Sequence, residues 1–181
     1  MLEVPTTDTP HARPMSDPPA TAAPASTPAP ALPSCGLRAE LSSGPQPGTS
    51  TLTLINEGTR SVRLVVPGDG SEAGWRTPVI TWVAKQHGKP VKERVGGRCG
   101  MMNPIEPSEV FELAPGQRRT ISEWVGIPNV DPGTYDVELR YKNEPSLAAR
   151  KGAGTGVEAL LAATDACEVV TKPTKLTVPR F

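Results

Sequence analysis

Apolar and polar residues alternate in short runs along the chain from Cys35 onward. Residues two apart project from the same face of a strand, so this alternation is typical of β-strands with one buried face. The clearest run is Thr134–Tyr141, in which every second residue from Tyr135 is large and apolar. By the same pattern, further strands are predicted at Leu37–Leu41, Ser50–Asn56, Ser61–Val66, Thr77–Lys85, Val91–Arg98, Glu109–Leu113 and Arg119–Trp124, with a last strand over Glu168–Thr171 and Leu176–Val178 that Pro173 interrupts.

Two segments depart from simple alternation. Thr77–Lys85 carries apolar residues on both faces, among them Ile80, Trp82 and Val83, and is therefore predicted to be covered on both sides. Ser61–Val66 follows a turn after the second strand and is predicted to run back beside it. Near the C-terminus, Val157–Ala163 is predicted to form two helical turns.

Proline and glycine turns separate the predicted strands. Pro115-Gly116 lies between two of them, and Pro132-Gly133 comes directly before the strand that begins at Thr134. In immunoglobulin-like β-sandwiches, a tyrosine near the start of such a strand hydrogen-bonds back to the preceding corner, and Tyr135 occupies that position. The sequence therefore predicts an all-β fold, an immunoglobulin-like β-sandwich with a short helical insertion near the C-terminus.

The first 34 residues have a different composition, dominated by proline, alanine and threonine. Such a segment cannot bury enough apolar surface to offset the entropy lost on ordering. It is predicted to be disordered, with polyproline II character, and to act as a semi-stiff spacer. We therefore expect a disordered tail over residues 1–34 and one β-sandwich domain over residues 35–181.

The charge balance excludes some partners. With 19 basic and 19 acidic residues the net charge is zero, so no global field attracts nucleic acid or anionic lipid, and no nucleic-acid partner is expected. No apolar run reaches the roughly 20 residues that span a bilayer, and no signal peptide is visible at the start. The tryptophans all lie between Trp75 and Trp124, which places the expected core there.

The three cysteines, Cys35, Cys99 and Cys167, have no C-x-x-C spacing, which excludes a zinc knuckle and a thioredoxin-type motif. They permit one disulfide and one further thiol. A bridge from Cys99 to Cys35 or Cys167 is one alternative, and a buried Cys99 thiol is another. A disulfide and a spacer-like tail favour a setting at the cell envelope or outside the cell, whereas the missing signal sequence argues against it.

The most distinctive local string is Gly68–Pro78. A calcium loop is one interpretation, but an EF-hand pattern would place Ala73 and Ile80 where oxygen ligands are needed. A ligand-binding loop built on Trp75 and Arg76 is the second interpretation, and a structured turn is the third. The candidate binding residues in this string are Asp69, Glu72, Trp75 and Arg76.

A second string, Arg98–Asn103, surrounds a cysteine with glycines and a cation. The charge of Arg98 would favour the reactive thiolate of Cys99. A catalytic cysteine also needs a base, and outside the tail the only histidine is His87, in a predicted turn. Arg98 and Asn103 are retained as candidate binding residues, and Cys99 is interpreted as structural.

Signatures of common enzyme classes are missing from the sequence. It contains no G-x-S-x-G, G-x-G-x-x-G or G-x-x-x-x-G-K-[ST] motif. The carboxylates of Asp136 and Glu138 alternate with apolar residues and are predicted to occupy a solvated strand face. No catalytic residue, metal ligand or cofactor is therefore predicted.

The run from Leu52 to Pro145, which holds both distinctive strings, the Pro-Gly turns and Tyr135, resembles uncharacterised bacterial immunoglobulin-like domains. These are similar in plan to bacterial intracellular proteinase inhibitors and to fibronectin-like modules. The turns and Tyr135 imply the fold alone. The resemblance implies no activity for Asp69–Pro78 or Arg98–Asn103.

We expect a non-catalytic binding or structural module, a monomer that recognises an unknown protein partner at or outside the cell envelope. One alternative is a protease inhibitor that presents an exposed loop, either Gln86–Pro90 or Gly68–Trp75. Another is a thiol- or metal-dependent enzyme centred on Cys99.

Overall fold

The computed structural model describes residues 33–68, 80–94, 105–145 and 156–180, which are mostly β-structure. One 3-10 helix spans Pro107–Glu109, and one α-helix, α1, spans Glu158–Ala162, inside the segment predicted to be helical. The strands are β1 (Leu37–Ser43), β2 (Ser50–Asn56), β3 (Val62–Val65), β4 (Ile80–Gln86), β5 (Lys89–Val91), β6 (Val110–Leu113), β7 (Arg118–Ile121), β8 (Gly133–Asn143), β9 (Cys167–Val170) and β10 (Thr174–Val178).

Within the described residues these strands form three antiparallel sheets. The first has the order β1-β2-β7, and the second is the pair β3-β6. The largest has the order β10-β8-β4-β5, and β9 also pairs with β8. β8 organises this sheet, because β4 pairs along one side of it while β10 and β9 share the other side in succession.

One hydrophobic cluster takes side chains from all three sheets. Leu52 and Leu54 of β2 are completely buried, on the face predicted from the alternation. Burying a leucine side chain contributes roughly 1.5–3 kcal/mol, so this shared core is the main source of stability. The alternation of β8 is confirmed, since its inward residues are all at most 3% exposed: Tyr135, Val137, Leu139 and Tyr141.

The turn between β2 and β3 is built around the buried side chain of Asn56, which is 0% exposed. Its amide nitrogen donates to the carbonyls of Arg60 and Leu113, each at 2.8 Å. Its amide oxygen accepts a hydrogen bond from the Gly58 N–H at 2.9 Å. One side chain therefore satisfies main-chain groups on both sides of the turn, which would otherwise lose their water without a partner.

Side chains, rather than a neighbouring strand, complete the edge of β3 that faces away from β6. The Arg63 N–H donates to the Asp165 carboxylate at 2.7 Å, and the Asp165 N–H donates back to the Arg63 carbonyl at 2.8 Å. The Val65 N–H donates to Asn143 Oδ1 at 3.1 Å, and the Tyr141 hydroxyl donates to the Val65 carbonyl at 2.7 Å. Complete burial raises the pKa of the Tyr141 phenol well above its usual range, so the hydroxyl keeps the proton that it donates.

The predicted tyrosine corner is confirmed. The hydroxyl of Tyr135 donates to the main-chain carbonyl of Asp131 at 2.8 Å, across the turn that leads into β8. The ring is 3% exposed and belongs to the shared core. A single side chain thus fixes both the corner and the start of the central strand.

We expect Tyr135→Phe to lower the free energy of unfolding by about 1 kcal/mol, because the ring stays buried while the Asp131 carbonyl loses its donor. Urea denaturation of the variant beside the unaltered protein measures this difference. An unchanged unfolding midpoint would contradict the structural role assigned to the hydroxyl.

Cys35 and Cys167 form a disulfide, with sulfurs 2.06 Å apart and Cα atoms 5.6 Å apart. It attaches Cys35, two residues before β1, to the first residue of β9. The adjacent Gly36 has φ +72°, and a side chain there would lie 2.8 Å from the Gly58 Cα, so only glycine fits. Since Cys35 and Cys167 are bonded to each other, the predicted alternative of a Cys99 bridge to either one is wrong; Cys99 itself lies outside the described residues.

Three strand predictions need correction. β3 pairs with β6 and not with β2, because the turn held by Asn56 takes the chain out of the first sheet. The hairpin strand after β4 begins at Lys89 and not at Val91, because the two-residue turn at His87 and Gly88 starts the pairing at once. Val83 is 38% exposed, so β4 is covered on one face only.

Candidate functional site

The two strings singled out by the sequence lie outside the described residues. Residues 69–79 follow the end of β3, and residues 95–104 precede Ile105. Their proposed roles therefore stay predictions. The residues concerned are Asp69, Glu72, Trp75, Arg76, Arg98, Cys99 and Asn103.

The carboxylates on the outer face of β8 are bound in surface ion pairs. Lys85 of β4 lies 3.1 Å from Glu138, and Lys175 of β10 lies 3.2 Å from Asp136. Charges balanced in this way on a solvated face contribute at most about 1 kcal/mol each to stability. The prediction of a solvated face here is confirmed, and neither carboxylate is held in a buried environment of the kind that prepares an acid or a base.

The most unusual side chain in the described surface is Trp124. It lies in the turn after β7 and is 51% exposed, although the sequence placed it in a strand and in the core. Its φ of +57° lies in the left-handed region, which is unfavourable for a large residue. Exposure and backbone strain occur together here, and strain of this kind is concentrated at functional positions.

β7, the strand that leads to Trp124, lies at the edge of the first sheet. Arg119 pairs in register with the buried Leu54, so it lies on the inward side of β7. Its guanidinium carbon lies 4.2 Å from the centroid of the Phe111 ring, a cation–π contact. A cleft of ≈ 250 Å³ runs beside this strand and is lined by Val66, Arg119, Thr120, Ile121, Ser122 and Glu123.

Trp124 does not line this cleft but directly follows Glu123, which does, and we name Trp124 together with the cleft the Trp124 surface. It combines an exposed indole, an arginine and a small concave region, which are features enriched at the centres of protein–protein interfaces. Sequence reasoning missed it because the predicted strand Arg119–Trp124 ran past the end of β7 at Ile121, which placed the tryptophan in a strand and in the core. The available signal was the pattern after Ile121, where Ser122 and Glu123 interrupt the apolar alternation.

One of the two loops considered for a protease inhibitor is a tight turn. His87 and Gly88 have φ values of +51° and +75°, and Gln86 pairs with Lys89 directly beyond them. A two-residue turn of this geometry is curled rather than extended, and a protease cleft receives an extended peptide. The other loop, Gly68–Trp75, lies almost wholly outside the described residues.

Neither a metal site nor a membrane-spanning helix is found within the described ranges. Among residues 33–68, 80–94, 105–145 and 156–180, no three His, Cys, Asp or Glu side chains are grouped so that they could hold a metal ion. In the same part of the chain, no helix has the length and apolar character needed to cross a membrane.

No protein-family model matches the chain, and no curated protein matches it. The resemblance to bacterial immunoglobulin-like domains therefore rests on the residues from Leu52 to Pro145 alone.

Proposed function

We propose that this protein is a non-catalytic binding module that presents the Trp124 surface to a protein partner. The observation that carries the proposal is a half-exposed tryptophan held at φ +57°. An exposed indole loses favourable burial in the free protein, and the left-handed backbone costs roughly 1–2 kcal/mol for a residue with a Cβ. Contact with a partner offsets both costs, because a buried tryptophan contributes strongly to binding.

The proposed architecture is an immunoglobulin-like β-sandwich. The antiparallel sheets β1-β2-β7 and β10-β8-β4-β5, their shared core and the hydrogen bond of Tyr135 support it. Loops and edges of such a domain are held by a rigid scaffold, which suits recognition. The Cys35–Cys167 disulfide supports a setting at the cell envelope or outside the cell, where thiols are oxidised.

The test uses two substitutions that remove the same side chain. Trp124→Ala and Trp124→Gly should both reduce partner capture from an envelope extract at least about tenfold, the effect of a hot-spot residue. Val170→Ala is the matched control, because Val170 is also an exposed apolar residue, at 42% exposure, but lies on β9. Quantitative mass spectrometry of proteins retained on each immobilised variant gives the readout.

The same pair of variants checks the conformation. Glycine suits the left-handed backbone and alanine does not, so Trp124→Gly should be more stable than Trp124→Ala by about 1 kcal/mol in urea denaturation. An identical set of retained proteins for the unaltered protein and both Trp124 variants would refute the proposed function.

A further inference from the structure

β1 is a seven-residue edge strand whose charged side chains, Arg38 and Glu40, both lie on its outward face. Its three inward residues, Leu37, Ala39 and Leu41, are all apolar, and it contains no proline. Proteins commonly protect such edges with short strands, prolines or inward-facing charges. Two other edges described here have such features, since β5 is three residues long with Pro90, and β7 carries Arg119 on its inward side.

The hydrogen bonds between β1 and β2 show which main-chain groups of β1 point away from β2. Glu57 N–H donates to the Gly36 carbonyl, and Gly44 N–H donates to the Thr49 carbonyl, each at 2.9 Å. Bonded pairs alternate in an antiparallel ladder, so even-numbered residues of β1 bond to β2. The N–H and C=O groups of Ala39 and Leu41 face away from β2, and within the described residues no hydrogen bond reaches them.

These free groups face a groove between the open edges of two sheets. Its first part, ≈ 370 Å³, is lined by Arg38–Ser42 and Thr53 on one side and by Lys172 and Thr174 on the other. Its second part is a neighbouring region of ≈ 340 Å³ between the turn Ser43–Thr49 and Lys175–Thr177. We name the two parts together the β1–β10 groove.

Among the described residues, the groove carries one positive charge that no ion pair balances, that of Lys172. Lys172 is exposed and has no ion-pair partner among the described residues. Lys175 is 78% exposed at its side chain, although it reaches Asp136 at 3.2 Å. The acid on the opposite wall, Glu40, is already bonded to Arg38 and lies 3.6 Å from Arg118. A segment that enters the groove would therefore gain from acidic side chains.

We propose that the β1–β10 groove binds an extended, acidic segment of a partner protein, which adds as a strand to β1. Main-chain bonds to Ala39 and Leu41 would supply affinity, and the lysines would select acidic side chains. The chain's own first 32 residues are a poor occupant, because their many prolines lack the N–H that a ladder requires. This site is separate from the Trp124 surface, since Trp124 does not line the groove.

The probe is a phage-displayed library of proline-free eight-residue peptides selected on the folded, full-length protein. Selected peptides should be rich in Asp and Glu alternating with β-branched residues. Ala39→Pro should weaken their binding at least about tenfold, because it removes a groove-facing N–H and leaves the bonds to β2 intact. Lys172→Glu should weaken peptide binding to a similar extent. It replaces Ala39→Pro as the test if the proline variant does not fold.

Two controls distinguish this site from others. Lys92→Glu makes the same charge change at an exposed position outside the groove and should leave binding unchanged. Trp124→Ala should also leave it unchanged, so a failure of the groove and a failure of the Trp124 surface give different results. Peptides whose binding depends on Trp124 but not on Ala39 would support the proposed function and overturn the groove.

Hydrogen exchange gives an independent readout of strand addition. A bound peptide should slow exchange at Ala39 and Leu41, while Arg38 and Glu40, already bonded to β2, change little. Uniform protection along β1, or none, would overturn the proposal. A concentration-dependent dimer that Ala39→Pro abolishes would show that a second copy of the chain occupies the groove, which also overturns it.

Discussion

Replacing Cys35 and Cys167 together by alanine is expected to lower the free energy of unfolding by about 4 kcal/mol. The bond joins residues 132 apart in sequence, so its loss frees most of the unfolded chain. Loop-closure entropy grows slowly with length, which places this disulfide near the upper end of the usual range. A domain of this size commonly has a free energy of unfolding of roughly 5–15 kcal/mol, so losing the disulfide would remove a large share of its stability.

Guanidinium denaturation with and without a reductant measures this effect. Reduced unaltered protein and the double variant should unfold at similar midpoints, both well below that of the oxidised protein. Cys99→Ala is the matched control, since it removes a thiol and keeps the bond between Cys35 and Cys167. A midpoint that does not respond to reductant, or a mass-spectrometric link to Cys99, would contradict the pairing.

Asn56→Leu is expected to cost about 3 kcal/mol, the second large effect. The substitution keeps the approximate volume but leaves three main-chain groups without their partners, the carbonyls of Arg60 and Leu113 and the N–H of Gly58. Each main-chain group left without a hydrogen-bond partner in a buried or half-buried site costs roughly 1 kcal/mol or more of stability. Urea denaturation supplies the measurement.

Two further variants test the reason for that cost. Asn56→Asp has the same shape but aims a carboxylate at two carbonyl oxygens, so its penalty should be largest at neutral pH. The penalty should shrink on acidification, because the protonated acid can donate a hydrogen bond. Asn129→Ala removes an exposed asparagine and should cost less than 1 kcal/mol; a loss equal to that of Asn56→Leu would show that burial is not the cause.

Alternation predicted strands well wherever one face meets the core. β2 matches its predicted bounds, and β8 extends the predicted strand by one residue at its start and two at its end. The Tyr135 corner was predictable because the bond is local, between residues 131 and 135. Such features depend on nearby sequence, which a single chain shows directly.

Pairing partners were harder to predict, because they depend on distant residues. The turn after β2 looks like a hairpin, yet Asn56 bonds to Leu113, 57 positions away, and β3 joins β6. The bonds that complete β3 come from residues 76–102 positions further along the chain. Local pattern holds no information on such partners.

The candidate surfaces were not predictable from residue type. Trp124 belongs to a class of residue that is usually buried, and only its position in the turn after β7 exposes it. Likewise, Ala39 and Leu41 read as ordinary core residues. Their main-chain groups matter because β1 ends its sheet, a property of topology.

The way β3 is completed has a consequence for the order of biosynthesis. Its edge depends on Tyr141, Asn143 and Asp165, and the bond that anchors the start of β1 depends on Cys167. A nascent chain that has emerged only as far as β7 therefore has an incomplete edge at β3, exposed to pairing with other chains, and an unbonded Cys35. The edge of β3 can therefore be completed only after the C-terminal residues that bond to it have been synthesised.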